Sequence, residues 1–425
     1  MSRRITIEEV TRVEGHGGID VTIDGEKITA KFNVYEGPRF FESILKTVHY
    51  EKIPDLTRRI CGICTASHSL ASIGAIENAF DVSVSTQTRL LRDLLIHGEM
   101  IESHALHVFM LALPDYLGYP DAVTMSQKYP DAVKMALELK QAGNMIHNIL
   151  SGREVHGMNE RVGGFSKIPR TEELLSIKTA MLKVAPAAEL AVELMAVENP
   201  VYNESKNILM AVDSGKQFGF IGDRILTSTG ENIPQEDYRK LTNESVFKHS
   251  YAKMSSYNGS PFMVGALPRL ALNHQKLVGK AATLYKEHNH LITSRNSVSN
   301  NLAQALELVH SVDYTIFIID DIVATGVANE SIVDFDVYAS KGVNVIEAPR
   351  GCLYHDYTFN EKGELTECNI ITPTAQNVAN IEKDLKIVAG NLRGESDEEI
   401  KKALELVVRA YDPCISCSVH LVKLK

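Results

Sequence analysis

The stretch RICGICTASH at residues 59–68 contains a Cys-x-x-Cys pair, and the stretch DPCISCSVH at residues 412–420 contains a second one. The two pairs stand near opposite ends of a 425-residue chain, and a histidine follows each of them. Four thiolates gathered in one place form a soft-metal site. If the pairs share a metal, the fold must bring the two ends of the chain together around it.

A structural zinc site is the main alternative explanation for the two Cys-x-x-Cys pairs, although their spacing is unusual for it. A closed tetrahedron of four cysteines is a usual site for zinc. Zinc ribbons, however, keep their two pairs roughly 15–20 residues apart, far closer than here. A thioredoxin-like disulfide motif would need one pair near a βαβ pattern, and the sequence does not show one.

The composition indicates an ordinary globular protein, with 44% hydrophobic and 23% charged residues. A formal net charge of −10 without a basic face argues against nucleic acid as a partner. The opening stretch MSRRITIEEV lacks the apolar core of a secretory signal, and the apolar runs are too short or too broken by charge to span a bilayer. Six cysteines do not suggest a disulfide scaffold. We therefore expect a cytoplasmic chain with no membrane span.

The apolar pattern predicts a single domain of the α+β class, mainly α with small β subdomains. Alternating residues and an Asp-Gly turn predict an N-terminal sheet, and apolar residues at intervals of three and four predict long central helices. A stretch rich in Gly, Ser, Asn and Pro predicts an irregular excursion over the surface. The predicted regions are a β region over 1–40, a helical core over 41–220, the excursion over 217–265, and a helical and hairpin region from there to 420.

Both cysteine motifs resemble the signature motifs of nickel-iron hydrogenase large subunits. The resemblance runs along the chain, because five further blocks follow in the family's order. They are RVEGHGG (12–18), RFFE (39–42), GREVH (152–156), EAPRG (347–351) and PTAQN (373–377). The sequence looks most like the cytoplasmic bidirectional group, which includes sulfhydrogenase and NAD(P)-linked alpha subunits. The resemblance implies the large-subunit fold and reversible, heterolytic cleavage of H2.

The resemblance also implies a ligand role for each cysteine of the two pairs. Cys61 and Cys414 would be terminal ligands of nickel, while Cys64 and Cys417 would bridge nickel and iron. The iron would carry one carbon monoxide and two cyanide ligands besides. Soft thiolates suit such a low-valent metal pair.

Three side chains are implied to surround the diatomic ligands. Arg350 in EAPRG would hydrogen-bond one cyanide through its guanidinium, and Thr374 in PTAQN would give its hydroxyl to the other. Asp412, before the last pair, would form an ion pair with Arg350. Without the resemblance, these residues would be read as a surface arginine at a hairpin end, a helix cap and a turn residue.

Two further residues are implied beside the cysteines. Glu14 in RVEGH would receive the proton that leaves the thiolate of Cys414, although most such glutamates are solvated turn residues. His68, four residues after Cys64 on a predicted helix, would face the same side and could hydrogen-bond its sulfur. The alternative is a histidine that only fills the core.

A second metal position is implied by Glu42, the main-chain carbonyl of Ile370 and His420. Hard oxygen ligands favour magnesium, whereas the imidazole would also accept iron. One departure from the family concerns the long helix, where this chain has Glu102, Ser103 and His104 in place of an aspartate between histidines.

The resemblance implies several partners. A small subunit with iron-sulfur clusters would dock near residues 152–164 and take the electrons, and flavin-containing diaphorase-type subunits would pass them to NAD(P), ferredoxin or a similar acceptor. A nickel chaperone and a maturation endopeptidase would act on the precursor, the latter removing the tail at residues 421–425. Two other functions stay open, a quinone-reductase-type relative without nickel and a structural zinc protein.

Overall fold

Long helices form the centre of the molecule, and small sheets lie beside them. The computed structural model of the protein describes residues 2–199 and 206–419. This mainly helical architecture confirms the predicted fold class. The α-helices are α1 (Phe41–Ile44), α2 (Ile53–Thr57), α3 (Thr65–Ala79), α4 (Thr86–Leu106), α5 (Leu113–Leu117), α6 (Ala122–Ser126), α7 (Pro130–Ser151), α8 (Thr171–Met195), α9 (Ala266–Asn273), α10 (Gly279–His288), α11 (Ser299–Thr325), α12 (Pro373–Asn391), α13 (Asp397–Ala410) and α14 (Ile415–Ser418).

The strands form separate sheets of two to four strands each. Apart from the β11–β6 pair, which is parallel, neighbouring strands run antiparallel. The strands are β1 (Arg3–Ile7), β2 (Gly17–Asp24), β3 (Lys27–Val34), β4 (Glu160–Arg161), β5 (Gly164–Phe165), β6 (Ile208–Asp213), β7 (Arg224–Thr227), β8 (Asn232–Pro234), β9 (Asn243–Ser245), β10 (Met254–Ser256), β11 (Phe262–Met263), β12 (Ser340–Ala348), β13 (Gly351–Phe359) and β14 (Leu365–Ile371).

Helix α11 is the central helix of the core. Most of its residues are buried, and α4, α8 and α10 pack against it. A helix that is apolar around its whole circumference belongs in a protein interior or a membrane. By length and composition alone α11 could cross a membrane, but 83% of its apolar window is buried inside the protein. It therefore acts as a core helix, and the sequence analysis did not single it out.

The N-terminal sheet has the order β1-β2-β3 and was predicted from the alternating residues. Asp24 pairs with Lys27 across the tight turn, where Gly25 has a φ of 61°. Glycine adopts this left-handed conformation without steric cost, as the Asp-Gly dipeptide predicted.

The C-terminal sheet has the order β12-β13-β14 and packs against α3. Gly342 on β12 permits a close approach, because a Cβ atom there would lie 2.0 Å from the carbonyl oxygen of Ala75. Further along the strand, the side chain of Asn344 reaches the carbonyl oxygen of Leu70. Helix α3 therefore runs antiparallel to β12, and its first turn lies toward the end of β12, where Arg350 makes the turn into β13.

The predicted irregular excursion is more regular than expected. It contains β7 to β11, and its sheet, in the order β11-β6-β7-β8, covers a second apolar core. Ile225, Tyr238 and Phe262 are each fully buried there. The strands are only two to four residues long, too short for an alternating pattern to stand out from the surrounding turn residues.

The two ends of the chain meet beside the first pair of cysteines. Glu14 and Cys414 form a parallel β-bridge, and the backbone N–H of Ile415 donates a hydrogen bond to the carbonyl oxygen of Glu14 at 2.9 Å. Helix α13 leads the chain to this point, and a capping box formed by Ser396 and Glu399 fixes its start.

Candidate metal centre

The first cysteine pair lies in the loop that enters α3. Cys64 immediately precedes the helix, and its backbone N–H donates a hydrogen bond to Sγ of Cys61 at 3.3 Å. The carboxylate of Glu99 on α4 accepts hydrogen bonds from the backbone N–H groups of Ala66 and Ser67, at 2.7 Å and 3.2 Å. These N–H groups have no partner within the helix, so Glu99 fixes its start. No local capping signal could have revealed this residue, because it comes from another helix.

The four sulfur atoms of the two pairs form one buried cluster and lie within 4.8 Å of one another. Sγ of Cys61 lies 3.5 Å from Sγ of Cys414, and Sγ of Cys64 lies 3.5 Å from Sγ of Cys417. The sulfurs of Cys414 and Cys417 are 2.7 Å apart. The fold therefore gathers all four sulfurs where one small metal group could bind them.

Burial and mutual hydrogen bonding keep the four thiols from ionising together. Hydrogen bonds from Cys414, Cys417 and Cys64 lower the pKa of Cys61. Burial raises the pKa of the Cys417 thiol to about 11. The cluster therefore needs a bound cation before all four cysteines become thiolates, and metal binding would release their protons.

Arg350 lies beside the cluster, held by Asp412. Its Nε donates to the backbone carbonyl oxygen of Asp412 at 2.9 Å, and its Nη2 donates to Oδ1 of the same residue at 3.0 Å. Burial opposes the charge of Arg350, but attraction from Asp412 and Cys414 outweighs it and raises the pKa of the guanidinium. Its Nη1 is buried and has no hydrogen-bond partner among the described residues.

Asp412 is held from its other side by a residue that the sequence analysis missed. Nε2 of Gln304 on α11 donates to Oδ2 of Asp412 at 3.0 Å. Asp412 has a φ of 51°, a conformation that is uncommon outside glycine and that asparagine and aspartate tolerate best. Gln304 had no local signal, because a glutamine within an apolar helix does not point to a particular partner.

Thr374 and Glu14 contact the segment that carries the last pair. Oγ1 of Thr374 accepts a hydrogen bond from the backbone N–H of Cys414 at 2.9 Å, which leaves the hydroxyl hydrogen without an acceptor among the described residues. The half-buried carboxylate of Glu14 accepts hydrogen bonds from the backbone N–H of Ser416, at 3.1 Å, and from the hydroxyl of Ser416. Ser416 stands between the two cysteines of the last pair, so Glu14 lies close to them.

His68 belongs to a buried chain of polar side chains. Its Nδ1 lies 3.3 Å from Nε2 of His355, and Nδ1 of His355 lies 2.5 Å from Oη of Tyr357. Tyr357 in turn donates to the hydroxyl of Ser72 at 3.2 Å. Burial lowers the pKa of His68 to about 4, which keeps the ring neutral. This chain fixes the ring through Nδ1, and the contact with the sulfur of Cys64 remains a prediction.

Two of the three predicted ligands of the second metal position, Glu42 and Ile370, lie among the described residues. Oε1 of Glu42 accepts a hydrogen bond from the backbone N–H of Ile370 at 2.9 Å, so these two residues are neighbours. Nζ of Lys253, which the sequence analysis did not select, lies 3.4 Å from the same oxygen. His420 and the tail at 421–425 lie outside the described residues.

Two histidines at the end of the long helix and just after it contact other protein groups. Nε2 of His104 lies 2.9 Å from Oε2 of Glu307, and Nε2 of His107 lies 2.9 Å from the carbonyl oxygen of Arg409. Glu102 pairs with Lys140 at 2.7 Å. Of the residues that depart from the family pattern, Glu102 and His104 are therefore engaged in these contacts, while the hydroxyl of Ser103 has no hydrogen-bond partner among the described residues.

The donors around the sulfur cluster fit a nickel-iron group with diatomic ligands. Cysteine thiolates alone would suit zinc equally well. Four cysteines around zinc, however, would give no acceptor to the buried Nη1 of Arg350 or to the hydroxyl of Thr374, and buried donors are normally satisfied. Small ligands with acceptor nitrogen atoms would supply the missing partners.

The chain matches the nickel-dependent hydrogenase family over residues 39–135 and 222–420, and the HoxL-like family over residues 4–36. Sulfhydrogenase 1 subunit alpha from Pyrococcus furiosus is 40% identical to it over 429 residues, which covers 99% of this chain and 98% of the relative. The NAD-reducing hydrogenase HoxS subunit beta from Cupriavidus necator is 26% identical over 475 residues, which covers 99% of this chain and 95% of the relative.

The fold is similar to that of solved hydrogenases. A structure of an NAD+-reducing NiFe hydrogenase in the H2-reduced state matches with a TM-score of 0.86 and 24% identity, and covers 98% of this chain and 99% of that one. The Ni-Fe-Se hydrogenase from D. vulgaris Hildenborough matches with a TM-score of 0.78 and 21% identity, and the match covers 99% of this chain and 100% of that one. The family match, together with 40% identity along almost the whole chain, shows that this chain belongs to the nickel-dependent hydrogenase family, as the large subunit of an oxidoreductase that acts on H2 at a nickel-iron centre.

Proposed function

We propose that this chain is the catalytic subunit of a hydrogenase that cleaves H2 reversibly and heterolytically, with carbon monoxide and two cyanides on the iron. The observation that carries the proposal is the buried cluster of four sulfurs beside Nη1 of Arg350, for which residues 2–199 and 206–419 provide no hydrogen-bond partner. A structural zinc site would explain the sulfurs but not that arginine. A quinone-reductase-type relative without nickel would have no need for all four cysteines.

The resemblance to the family implies which residues would hold the metal group, and the four cysteines lie together as that assignment requires. Cys61 and Cys414 would be the terminal ligands of nickel, and Cys64 and Cys417 would bridge the two metals. Nη1 of Arg350 would donate to one cyanide. When bound, the nickel-iron group supplies the redox and Lewis-acid chemistry that converts H2 into protons and electrons.

Arg350 and Thr374 would orient the diatomic ligands by hydrogen bonding. The guanidinium is already fixed by two hydrogen bonds to Asp412, so its remaining donor is held in one direction. The hydroxyl of Thr374 is fixed by the backbone N–H of Cys414 and would donate its hydrogen to the second cyanide. Because both donors are positioned before the group binds, they need no rearrangement during turnover.

The proton would leave by way of Cys414 and Glu14. The thiolate of Cys414 would accept it first, and the carboxylate of Glu14 would accept it next. Glu14 is positioned for this by the backbone bridge to Cys414 and by its two hydrogen bonds from Ser416. The hydroxyl of Ser416 keeps the carboxylate beside the last pair.

Electrons would leave where the first pair approaches the surface. The loop residue Gly62 is exposed, although the sulfurs on either side of it are buried. Val155, which is 41% exposed, lies next to it, since a Cβ atom on Gly62 would be 3.8 Å from Cγ1 of Val155. We place the small subunit and its iron-sulfur cluster at this surface, because electron transfer requires a short distance.

The further partners follow from the relatives and are proposed on that basis. Relatives named sulfhydrogenase and NAD-reducing hydrogenase suggest a cytoplasmic complex in which flavin-containing diaphorase-type subunits pass electrons to NAD(P), ferredoxin or a similar acceptor. A nickel chaperone would load the site. A maturation endopeptidase would then remove residues 421–425 after His420.

Infrared absorption of the purified enzyme tests the proposal, with nickel and iron counted on the same sample. Bound carbon monoxide and cyanide absorb where proteins do not, so we expect one carbonyl band and two cyanide bands together with one nickel and one iron per chain. A sample that contains only zinc and lacks these bands would leave the structural zinc site as the function of the cluster.

A further inference from the structure

Arg269 on α9, a residue that the sequence analysis missed, contacts the turn that carries Arg350. Its side chain is 1% exposed. Nη1 donates to Oε2 of Glu347 and to the carbonyl oxygen of Ala348, both at 2.9 Å, and Nη2 donates to the carbonyl oxygen of Pro349 at 2.9 Å. One guanidinium therefore binds the three consecutive residues that precede Arg350.

The other edge of the same guanidinium is fixed on the central helix. Nε donates to Oε1 of Glu307 on α11 at 2.7 Å, and Nη2 donates to Oε2 at 2.6 Å. Nε2 of His104 lies 2.9 Å from Oε2 and completes the contacts of this carboxylate. All five N–H groups of Arg269 thus have acceptors. A lysine has three donors on a single nitrogen and could not bind the helix and the turn in this geometry.

Helix α11 is therefore the common support for the backbone and the side chain of Arg350. Glu307 fixes the turn through Arg269. Gln304, three residues earlier on the same face of α11, fixes the guanidinium of Arg350 through Asp412. Two separate connections to one buried helix determine where the remaining donor of Arg350, Nη1, lies.

The turn packs tightly against the residues that precede α9. A Cβ atom on Gly265 would lie 3.3 Å from the carbonyl oxygen of Arg350, and a Cβ atom on Gly351 would lie 2.5 Å from Cγ2 of Val264. Gly351 has a φ of 128°, a conformation that glycine adopts without steric cost. Because a close-packed interior transmits small displacements, a change at Arg269 should move the turn.

The free energy of folding alone gives little reason for this group of charges. The desolvation of two buried carboxylates and a guanidinium opposes most of the attraction between them. A pair of parallel hydrogen bonds between arginine and a carboxylate, however, fixes an angle as well as a distance. The main effect of the Arg269 contacts is therefore to define the position of the turn relative to α11.

We propose that Arg269 is a positioning residue for the hydrogenase reaction, and that it determines where Nη1 of Arg350 lies beside the four sulfurs by fixing residues 347–349 on α11. The effect on turnover rests on the proposed function, because Nη1 acts on a cyanide only when the metal group is bound. The fixing of the turn does not depend on the metals.

Arg269→Lys is the first test, with Arg92→Lys as the matched control. Arg92 is also buried and donates to both carboxylate oxygens of Glu77 at 2.7 Å. In Arg269→Lys we expect kcat to fall about fivefold with KM for H2 unchanged, because the lost contact matters in the transition state. One cyanide band should shift, and nickel and iron should remain. Unshifted bands, loss of the metals, or the same shift in Arg92→Lys would overturn the proposal.

The double variant Arg269→Lys with Arg350→Lys decides whether Arg269 acts through Arg350. If it does, Arg269→Lys should lower turnover by less than about twofold once Arg350 is already a lysine, because the guanidinium that it positions is gone. The same loss in the wild-type and the Arg350→Lys backgrounds would show that the two residues act separately, and would overturn the proposal.

Amide hydrogen exchange over residues 347–351 separates a failure of this inference from a failure of the proposed function. We expect faster exchange there in Arg269→Lys than in the wild type or Arg92→Lys, with or without nickel and iron. Unchanged exchange would overturn the inference, whereas a wild type without cyanide bands would contradict the proposed function and leave exchange to decide. If Arg269→Lys does not fold, Glu307→Gln replaces it in each measurement with the same expected changes, because it weakens the attachment to α11.

Discussion

Glu14 and Cys414 are bridged through their backbones, so the N-terminal segment and the last cysteine pair form one structural unit. The carboxylate of Glu14 then turns toward Ser416, which donates to it through both its backbone N–H and its hydroxyl. A proton on the sulfur of Cys414 therefore has a carboxylate close by. The same contacts join the two ends of the chain, so the relay and the closure of the fold depend on the same residues.

Replacing Glu14 with Gln should lower the turnover of H2 by about 10²-fold, because an amide cannot accept the proton from the thiolate. The amide oxygen can still accept the backbone N–H of Ser416, and the amide NH2 can donate to its hydroxyl oxygen, so nickel and iron content should not change. The measurement is H2-dependent dye reduction together with metal analysis. Glu36→Gln is the control, because Glu36 accepts a hydrogen bond from the backbone N–H of His16 at 3.2 Å in the same region. Full activity in Glu14→Gln would exclude the carboxylate from the proton path.

Replacing Arg350 with Lys should also lower turnover by about 10²-fold and leave the metals in place, because an ammonium lacks the planar fork that donates in three fixed directions. The wild-type guanidinium uses two of those directions on Asp412. Infrared spectra of the variant should show shifted cyanide bands, since one hydrogen bond to a cyanide is lost. Loss of nickel and iron, in place of these shifts, would show that Arg350 is needed to hold the metals.

Gln304 is a positioning residue for the ion pair of Arg350 and Asp412. Gln304→Leu should lower turnover by about tenfold, because one hydrogen bond to the buried carboxylate is lost and the aspartate can move. Gln304→Glu should lower it further, since a second carboxylate would face Asp412. Metal content in Gln304→Leu should match that of the exposed control Gln275→Leu, and the loss of turnover should persist at temperatures well below the melting temperature of the variant, which separates this role from a purely structural one. A loss of activity that follows the melting temperature would contradict the positioning role.

The apolar pattern and the family motifs along the chain predicted the fold, and the two cysteine pairs predicted the cluster, because each pair is a local sequence pattern and the four side chains share one chemistry. The ion pair of Arg350 and Asp412 was implied by motifs of the same kind. Gln304 and Glu99 could not be predicted, because each acts from a distant helix on a backbone or side chain that gives no local signal. Tertiary contacts of this kind depend on which helix faces pack together, and the spacing of apolar residues does not fix that choice.

The excursion over residues 217–265 shows a second limit of predicting structure from the sequence. Its strands are too short to show periodicity, and its turn residues indicated an irregular loop. Lys253 lies in this segment and would have been read as a solvated surface lysine. Its burial follows from the β9–β10 hairpin, which turns the side chain toward Glu42.

Acid should destabilise the protein through buried histidines such as His310. Its Nε2–H donates to the carbonyl oxygen of Phe218 at 2.8 Å, and its ring stacks on Tyr314. Burial lowers its pKa from 6.5 to about 4. Above the pKa that the ring has in the unfolded chain, the ring is neutral in both the folded and the unfolded state, and its full contribution to stability is present. As the pH falls below the unfolded pKa, the ring binds a proton in the unfolded chain but not in the folded one, so the free energy of unfolding decreases. The loss reaches about 3 kcal/mol once the pH has passed the pKa of His310 in the folded chain.

His310→Gln keeps a hydrogen-bond donor but cannot be protonated, so its melting temperature should fall less steeply than that of the wild type between about pH 7 and about pH 4. His290 provides the control, because its side chain is exposed to solvent and His290→Gln removes a histidine without touching the core. Melting temperatures of wild type, His310→Gln and His290→Gln across this range are the measurement. Parallel curves for His310→Gln and the wild type would mean that the acid sensitivity arises from other groups. A flatter curve for His310→Gln, with His290→Gln parallel to the wild type, would assign that part of the acid sensitivity to the buried ring on α11.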